Sequence, residues 1–485
     1  MSKSTIKKIL IANRGEIALR IIRACKELDI KSVAIFSTAD VDGLWVKKAD
    51  ECYPIIDEDQ IKVYLDYERI ITIAKRAECD AIHPGYGFLS ESSEFAQAVI
   101  DAGLIFIGPK PHHVKLFGDK IESKKAMREV GVPVLPGNDE AIEDAKIGAK
   151  LAVGVGYPVI IKAAYGGGGR GMRIVHNPKD FEKEFDAAYK EALRFFGNGE
   201  MFIEKYMINT RHIEVQIIAD KYGNVLHLSE RDCSIQRRHQ KVIEIAPSPL
   251  LNNEVRKDLY RVSTKAMFRL GYESVGTVEF LVDDDDNFFF MEMNTRIQVE
   301  HTITEIISGI DLLQRMIEIA AGDKLLYLQE EIGFRGYAIE FRINAEDASR
   351  DFAPHPGKIT KFILPGGPGV RVDTAAFTDY EIPPYYDSMI GKLIVWALDW
   401  EGAVKKARRA LDEFVVVGVP TNIPLHKQII KDEDFISAHL KTDFLDKKLD
   451  TFNLEAVDAT AHEDEKMEEI NLLIETIEKN SINVH

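Results

Sequence analysis

A chain of 485 residues is too long for one compact core and calls for two to four domains. Its 45% hydrophobic and 29% charged residues describe a globular protein, and with no run of about 18 apolar residues no membrane span is expected. A net charge of −17 disfavours nucleic acid as a partner, and four scattered cysteines without a CxxC pair argue against a zinc site or disulfide scaffold and fit a reducing cytoplasm.

The N-terminus runs straight into the short apolar stretch Ile9-Leu10-Ile11-Ala12, without the longer apolar region a secretory signal needs. Lys8 to Ala12 reads as a strand, and Asn13 to Glu16 as a turn and helix start. Ile17, Ile21, Ala24, Cys25 and Leu28 then follow at helical spacing. Further strands are expected at Ser32–Phe36, Asp80–His83 and Leu104–Ile107. Strands alternating with helices predict a parallel, doubly wound sheet, with ligands beyond the C-terminal strand ends, where the stiff loop His83–Leu89 lies. From about Phe117 to Arg335 the pattern changes to strand pairs with tight turns, and a small subdomain at about 136–206 carries a glycine loop. Residues 336–449 hold more strands and Pro/Gly turns. The acidic stretch 450–485 has Met467, Ile470, Leu473 and Ile477 at helical spacing, which suits a surface helix or frayed tail, or a helix that docks on another subunit.

Gly166-Gly167-Gly168-Gly169-Arg170-Gly171 matches G-x-G-x-x-G, a weak signal alone. Its flanks, Val159–Lys162 and Met172–Val175, both read as strands, so a hairpin flap is expected rather than a dinucleotide turn. Glycines there let backbone N–H groups approach phosphate oxygens, and Lys162 adds a point charge. No Walker A loop is present.

Downstream, Glu279-Phe-Leu-Val and Phe288-Phe-Phe-Met-Glu292-Met-Asn294 flank four aspartates that read as a solvated turn. A turn centred between Asp285 and Asp286 would set Glu279 opposite Glu292, with Asn294 on the same face. Like charges so placed repel, and a divalent ion with oxygen ligands reverses that sign. Arg296, Gln298 and Glu300 alternate, so an extended segment would point a guanidinium, an amide and a carboxylate one way. That set suits a small planar anion and its deprotonation, though a surface charge stripe reads the same. Arg231–Lys241 forms a second polar cluster in which Cys233 is more simply inert than nucleophilic. Glu204-Lys205-Tyr206-Met207 after an apolar strand is a weak adenine signal, and His212 reads alone as structural.

Taken together, these segments resemble the biotin carboxylase component of biotin-dependent carboxylases. The resemblance rests on Ile11–Arg20, His83–Glu91, Phe117–Lys120, Lys162 with the glycine loop, Glu230–Lys241, Glu292–His301, Arg342–Asp347 and Pro383–Lys392, which occur in family order across about residues 5–449. It implies an α/β chain of the ATP-grasp fold. A Rossmann-like N-terminal domain would span 1–117, an ATP-grasp domain 118–335, an α+β C-terminal domain 336–449, and a tail 450–485. It further implies that Lys120, Lys162, His239 and the flap glycines Gly166, Gly167, Gly168, Gly169 and Gly171 hold ATP phosphates. Glu204, Lys205, Met207, His212 and Gln236 would hold the adenosine. Glu279, Glu292 and Asn294 would hold magnesium, or manganese in its place. Lys241, Arg296, Gln298 and the Val299 backbone would hold bicarbonate, with Glu300 as its base. Arg342 would stabilise the biotin enolate beside Tyr86.

The resemblance departs at Tyr165, where the family often has glycine and pyruvate carboxylases also carry aromatics. It departs again at His301-Thr302, where proline often follows the histidine. No Ala-Met-Lys-Met biotinylation motif and no carboxyltransferase segment is found. Biotin is therefore expected on a separate carrier protein, with a carboxyltransferase subunit choosing the acceptor: pyruvate, acetyl-CoA, another acyl-CoA or 2-oxoglutarate. A homodimer is the family's common state. The rival readings are another ATP-grasp ligase with an amine acceptor, a non-catalytic ATP-binding regulatory subunit, and a nicotinamide dehydrogenase.

Overall fold

The computed structural model describes residues 5–138, 140–142, 144–163, 172–454 and 470. The flap glycines, Tyr165 and the expected tail helix lie outside the described residues.

The first sheet is parallel, in the order β3-β2-β1-β4-β5: β1 (Lys8–Ile11), β2 (Lys31–Phe36), β3 (Glu51–Pro54), β4 (Ala81–His83) and β5 (Ile105–Phe106). Ile9, Leu10 and Ile11 are wholly buried, as expected when helices cover both faces of a parallel sheet. The helix Gly15–Glu27 turns Ile17, Ala18, Ile21, Ile22, Ala24 and Cys25 into the core. β3 is legible in the structure alone. Its four residues end in proline, which only an edge strand tolerates. At the C-terminal strand ends, the Asn13 amide donates to the carbonyls of Pro84 and Tyr86, each at 2.7 Å. That bond fixes the His83–Leu89 loop over the end of β1. Gly85 and Gly87 take φ of 64° and 69° there, a region that favours glycine.

A small antiparallel sheet, ordered β7-β6-β8, follows: β6 (Val159–Ala163), β7 (Arg173–Val175) and β8 (Met201–Lys205). The glycine loop thus joins two paired strands, Val159 standing opposite Val175. Helix residues Phe181, Phe185, Ala188 and Ala192 pack beneath it.

The largest element is an eight-stranded antiparallel sheet. It contains β9 (Arg211–Ala219), β10 (Val225–Arg237), β11 (Gln240–Ala246), β12 (Ser274–Val282), β13 (Phe288–Asn294) and β14 (Tyr337–Asn344), ordered β13-β12-β9-β10-β11-β14 and continued by the strands Met389–Ala397 and Val370–Asp373. One face is apolar: Ile213, Val215, Ile217, Val278, Phe280 and Phe290 pack against the helix Asn253–Leu270. The alternate positions His212, Glu214, Gln216, Thr277 and Glu279 line the opposite face and are buried as well. β11 pairs with β14, Ile243 opposite Phe341, so the sheet runs past residue 335 and brings the middle and third parts of the chain onto one polar face. No helix among the described residues is long and apolar enough to cross a membrane.

Candidate active site

Glu279 and Glu292 stand directly opposite each other in the β12–β13 hairpin. The route to that pairing differs from a simple turn count. Phe280 pairs with Phe290, which centres the turn on Asp285, and a register shift between Glu279 and Phe280 restores the glutamate pair. Glu279 is buried and Glu292 is half-buried. Glu279 Oε1 accepts from the Asn294 amide at 2.8 Å, the Gln298 amide at 2.8 Å and Lys241 Nζ at 3.0 Å. His212 Nε2 lies 2.9 Å from Glu279 Oε2. Because the Gln236 amide donates to His212 Nδ1 at 2.7 Å, the ring proton sits on Nε2, facing that carboxylate. His212 and Gln236 therefore stand in line beside the glutamate cluster. Two carboxylates and an amide oxygen on one hairpin are a hard-oxygen donor set, and the residues present fit a magnesium ion.

Lys241, opposite Gln236 on β11, is the hub. Its ammonium bonds Glu214, Glu279 and Glu300, the last at 2.6 Å. Glu300 immediately precedes the helix His301–Ser308 without a side-chain capping bond, and its second oxygen accepts from Arg342 at 3.0 Å. Burial opposes ionisation of Glu300. The charges of Lys241, Arg342 and Arg231 outweigh it and hold the carboxyl well below its usual range. Arg342 also donates through Nε to Glu244 at 2.6 Å. The run from Arg296 to Glu300 is irregular rather than a strand, yet it turns its polar groups inward. Arg296 bonds Asn294 at 3.0 Å and reaches Glu91 at 3.3 Å, and Gln298 bridges Glu279 and Arg231. The Val299 carbonyl accepts from buried Lys392 at 2.8 Å.

A second cationic group sits at the mouth of the small sheet. Lys162 is pushed down to about 8 by burial and by the neighbouring Lys120 charge, although it donates to Glu204 at 2.6 Å. Lys120 opens the helix Lys120–Glu129, capped by Asp119. Glu204 also ion-pairs Lys124, so its side chain serves as the counter-ion of two lysines. The Lys205 ammonium is tied to the carbonyls of Gly156 and Tyr157, each at 2.9 Å, and Met207 is half-buried. His239 occupies the two-residue turn between Arg237 and Gln240. Both turn residues, Arg238 and His239, are left-handed at φ 50° and 63°, where glycine or asparagine is usual. Such backbone is retained at functional sites. Burial and the charge of Lys162 lower the His239 pKa.

On the side of the first sheet, the Tyr86 hydroxyl bonds Glu16, which lies 3.1 Å from Lys392. Burial and the Glu16 charge push that hydroxyl well above its usual range. Cys233 is wholly buried and its thiol is raised well above the ordinary value by burial, so it is no nucleophile. Glu214, Glu244 and Lys392 belong to the cluster without having been singled out in the sequence. Arg231, read there only within a basic stretch, is wholly buried and bonds Glu214, Gln216, Thr277, Gln298 and Thr304. The available signal was the strict alternation of His212-Ile-Glu-Val-Gln216, which marks a two-faced strand without saying that the polar face meets a site rather than water.

A parallel sheet followed by a lysine-rich small sheet and a carboxylate-lined antiparallel sheet defines an ATP-grasp ligase architecture. Family models match in chain order: the biotin carboxylase N-terminal domain over residues 5–114, the ATP-binding domain of the carbamoyl-phosphate synthase L chain over 119–328, and the biotin carboxylase C-terminal domain over 340–447. The chain is 51% identical to a biotin carboxylase of a Nostoc species, over 90% of this chain and 98% of that one. It is 50% identical to a pyruvate carboxylase subunit of Methanothermobacter thermautotrophicus, over 91% and 89%. The biotin carboxylase domain dimer of 2-oxoglutarate carboxylase from Hydrogenobacter thermophilus, solved with MgADP, ADP and bicarbonate, superposes with a TM-score of 0.91 at 49% identity, covering 93% of this chain and 99% of that one. The chain belongs to the biotin carboxylase family.

Proposed function

We propose that this chain is the biotin carboxylase subunit of a multi-subunit carboxylase, using ATP and bicarbonate to carboxylate biotin on a separate carrier. The observation that carries the reading is the convergence of Lys241, Arg342 and Glu300 at 2.6 and 3.0 Å, beside Gln298 and Arg296. Two cations converge there on one carboxylate that can act as a base, an arrangement suited to a small planar anion. Lys120, Lys162, His239 and the flap glycines Gly166–Gly171 take the phosphates. His212, Gln236, Glu204, Lys205 and Met207 border the adenosine. Glu279, Glu292 and Asn294 hold magnesium, which when bound neutralises charge on the phosphoryl group being transferred.

In the free protein Glu300 is pinned by two cations and is a weak base. Bicarbonate, gripped by Arg296, Gln298 and the Val299 main chain, draws Lys241 and Arg342 to its own charge, and basicity returns to Glu300. Glu300 then takes the bicarbonate proton, and the freed oxygen attacks the γ-phosphorus to give carboxyphosphate and ADP. Carboxyphosphate breaks down to carbon dioxide and phosphate, and the phosphate takes the ureido proton of biotin. Arg342, released from protonated Glu300, offsets the oxyanion that forms on biotin beside Tyr86, and the biotin nitrogen attacks carbon dioxide. Four unpaired cysteines, three of them buried, suit work in the reducing cytoplasm. Its partners are a carrier, a second copy of the chain and a carboxyltransferase subunit, with the acceptor chosen outside this chain. The test is transfer of labelled bicarbonate to biotin or a biotinylated carrier domain in the presence of MgATP. Acid-labile label on biotin supports the reading; ATP cleavage with no label on biotin points to an amine-accepting ATP-grasp ligase.

A further inference from the structure

Beyond Arg342, on the same polar face, Glu244 of β11 stands directly opposite Glu340 of β14, and neither is exposed. Like charges directly opposite in a sheet repel, and two buried carboxylates so placed do not both ionise. One oxygen of each is in use: Glu244 Oε1 accepts from Arg342, and Glu340 Oε2 accepts from the Thr302 hydroxyl. The remaining oxygens, Glu244 Oε2 and Glu340 Oε1, are buried without a hydrogen-bond partner among the described residues. Such orphans are rare and costly. A single proton, shared directly or through one water, removes the repulsion and satisfies both atoms.

We propose that Glu340 is a neutral carboxylic acid under working conditions and serves as a positioning residue for Arg342, its proton turned toward Glu244. The proposal rests on the reading of Arg342 given above. The proton belongs on Glu340 because Glu244 carries the guanidinium of Arg342, whereas Glu340 accepts only from a hydroxyl. The groups facing Glu340 are Arg342 on its own strand, Glu244 from β11, Lys392 from the next strand, Thr302 from the helix His301–Ser308 and Tyr86 from the loop after β4. Glu300 and Lys241 face Glu244. Lys392 is committed elsewhere, donating to the Val299 carbonyl at 2.8 Å and lying 3.1 Å from Glu16. Burial pushes Glu340 well above the usual carboxyl range, the Glu244 charge adding to that shift and Lys392 and Arg342 opposing it; burial and the Glu300 charge push Glu244 up to about 7 against Arg342 and Lys241. With one negative charge on the pair, Glu244 steadies Arg342 while leaving it free to part from Glu300. Ionising Glu340 adds a second charge and draws Arg342 back toward the sheet, away from biotin.

The experiment uses the full chain labelled with carbon-13 glutamate, read by infrared spectroscopy near pH 7. The expected result is an isotope-shifted band of an un-ionised carboxyl that is lost in Glu340→Gln and, in Glu340→Asp, displaced to the unlabelled position because aspartate carries no label. The glutamine variant copies the shape of the neutral acid. It therefore sustains carboxybiotin formation near neutrality and lacks the fall in biotin-dependent turnover that the wild type shows as pH rises. A carboxyl spectrum unchanged by both substitutions overturns the proposal, and so does an alkaline fall in Glu340→Gln equal to that of the wild type. If the glutamine variant does not fold, the displaced band of Glu340→Asp carries the test. Failure of the enzyme reading is separately visible, as a wild type without bicarbonate-dependent ATP cleavage, and leaves the infrared result standing.

Discussion

Replacing Lys241 by methionine removes the one cation that three buried carboxylates share. Its ammonium bonds Glu214, Glu279 at 3.0 Å and Glu300 at 2.6 Å, and Glu214 and Glu300 are at most 2% exposed. Breaking a buried ion pair from one side strands the other charge and costs about 3–5 kcal/mol. Arg231 on Glu214 and Arg342 on Glu300 retain part of the compensation, which places Lys241→Met toward about 3 kcal/mol near pH 7. The pH dependence has a definite sign. The folded-state pKa of Glu300 is held below its unfolded value of about 4.3, so its stabilising contribution is present above that pH and lost as pH falls through the folded value. Without Lys241 that contribution shrinks, so the gap between variant and wild type is widest near neutrality and narrows below about pH 4. Urea unfolding followed by tryptophan fluorescence at several pH values measures both quantities. A variant as stable as the wild type near pH 7, or a gap that widens in acid, would refute the reasoning.

Glu300→Gln should lower bicarbonate-dependent phosphate release by about 10²–10⁴-fold, the usual yield of a general base, while calorimetry still finds ATP binding; unchanged turnover removes Glu300 as the base. Arg342→Ala should keep a slow bicarbonate-dependent ATP cleavage and lose carboxybiotin, because Lys241 still holds Glu300 at the ATP half-reaction while the biotin oxyanion loses its cation; a normal carboxybiotin yield contradicts this. Lys162, lowered to about 8 by burial and Lys120, loses its proton as pH rises through that value. ATP affinity of the wild type should therefore weaken above about pH 8, and Lys162→Arg, whose guanidinium stays charged, should flatten the profile; equal profiles would show that Lys162 does not carry the phosphates.

Short-range pattern was enough for four of the five strands of the first sheet. The apolar run at Ile9–Ile11 and the helical spacing of Ile17, Ile21 and Ala24 fall on the observed strand and helix, because both lie in a core where periodicity and burial agree. The strand Glu51–Pro54 escaped because an edge strand with a proline carries no such pattern. In the site, the pairing of Glu279 with Glu292 was legible from the aspartate turn, but through a register the chain does not use; only the shift at Phe280 produces it. That Arg296, Gln298 and Glu300 act together was suggested by their alternation, though a surface stripe read the same, and Lys241, which bonds Glu300, was tied to them only by family resemblance. Glu214, Glu244 and Lys392 were not legible. Glu214 and Glu244 sit in alternating strands and Lys392 in the apolar run Met389–Ala397, and what brings them to one face is the order of the sheet from β9 through β10, β11 and β14 to that strand, a long-range pairing that no local pattern encodes.

On the function proposed here, Lys241, Arg296, Gln298 and Glu300 form a bicarbonate-activating site driven by ATP. Phosphate release from MgATP by the purified chain, with and without bicarbonate and then with free biotin, tests it most directly. The expected result is release that requires bicarbonate and rises when biotin is added. Release of equal rate in the absence of bicarbonate would contradict it.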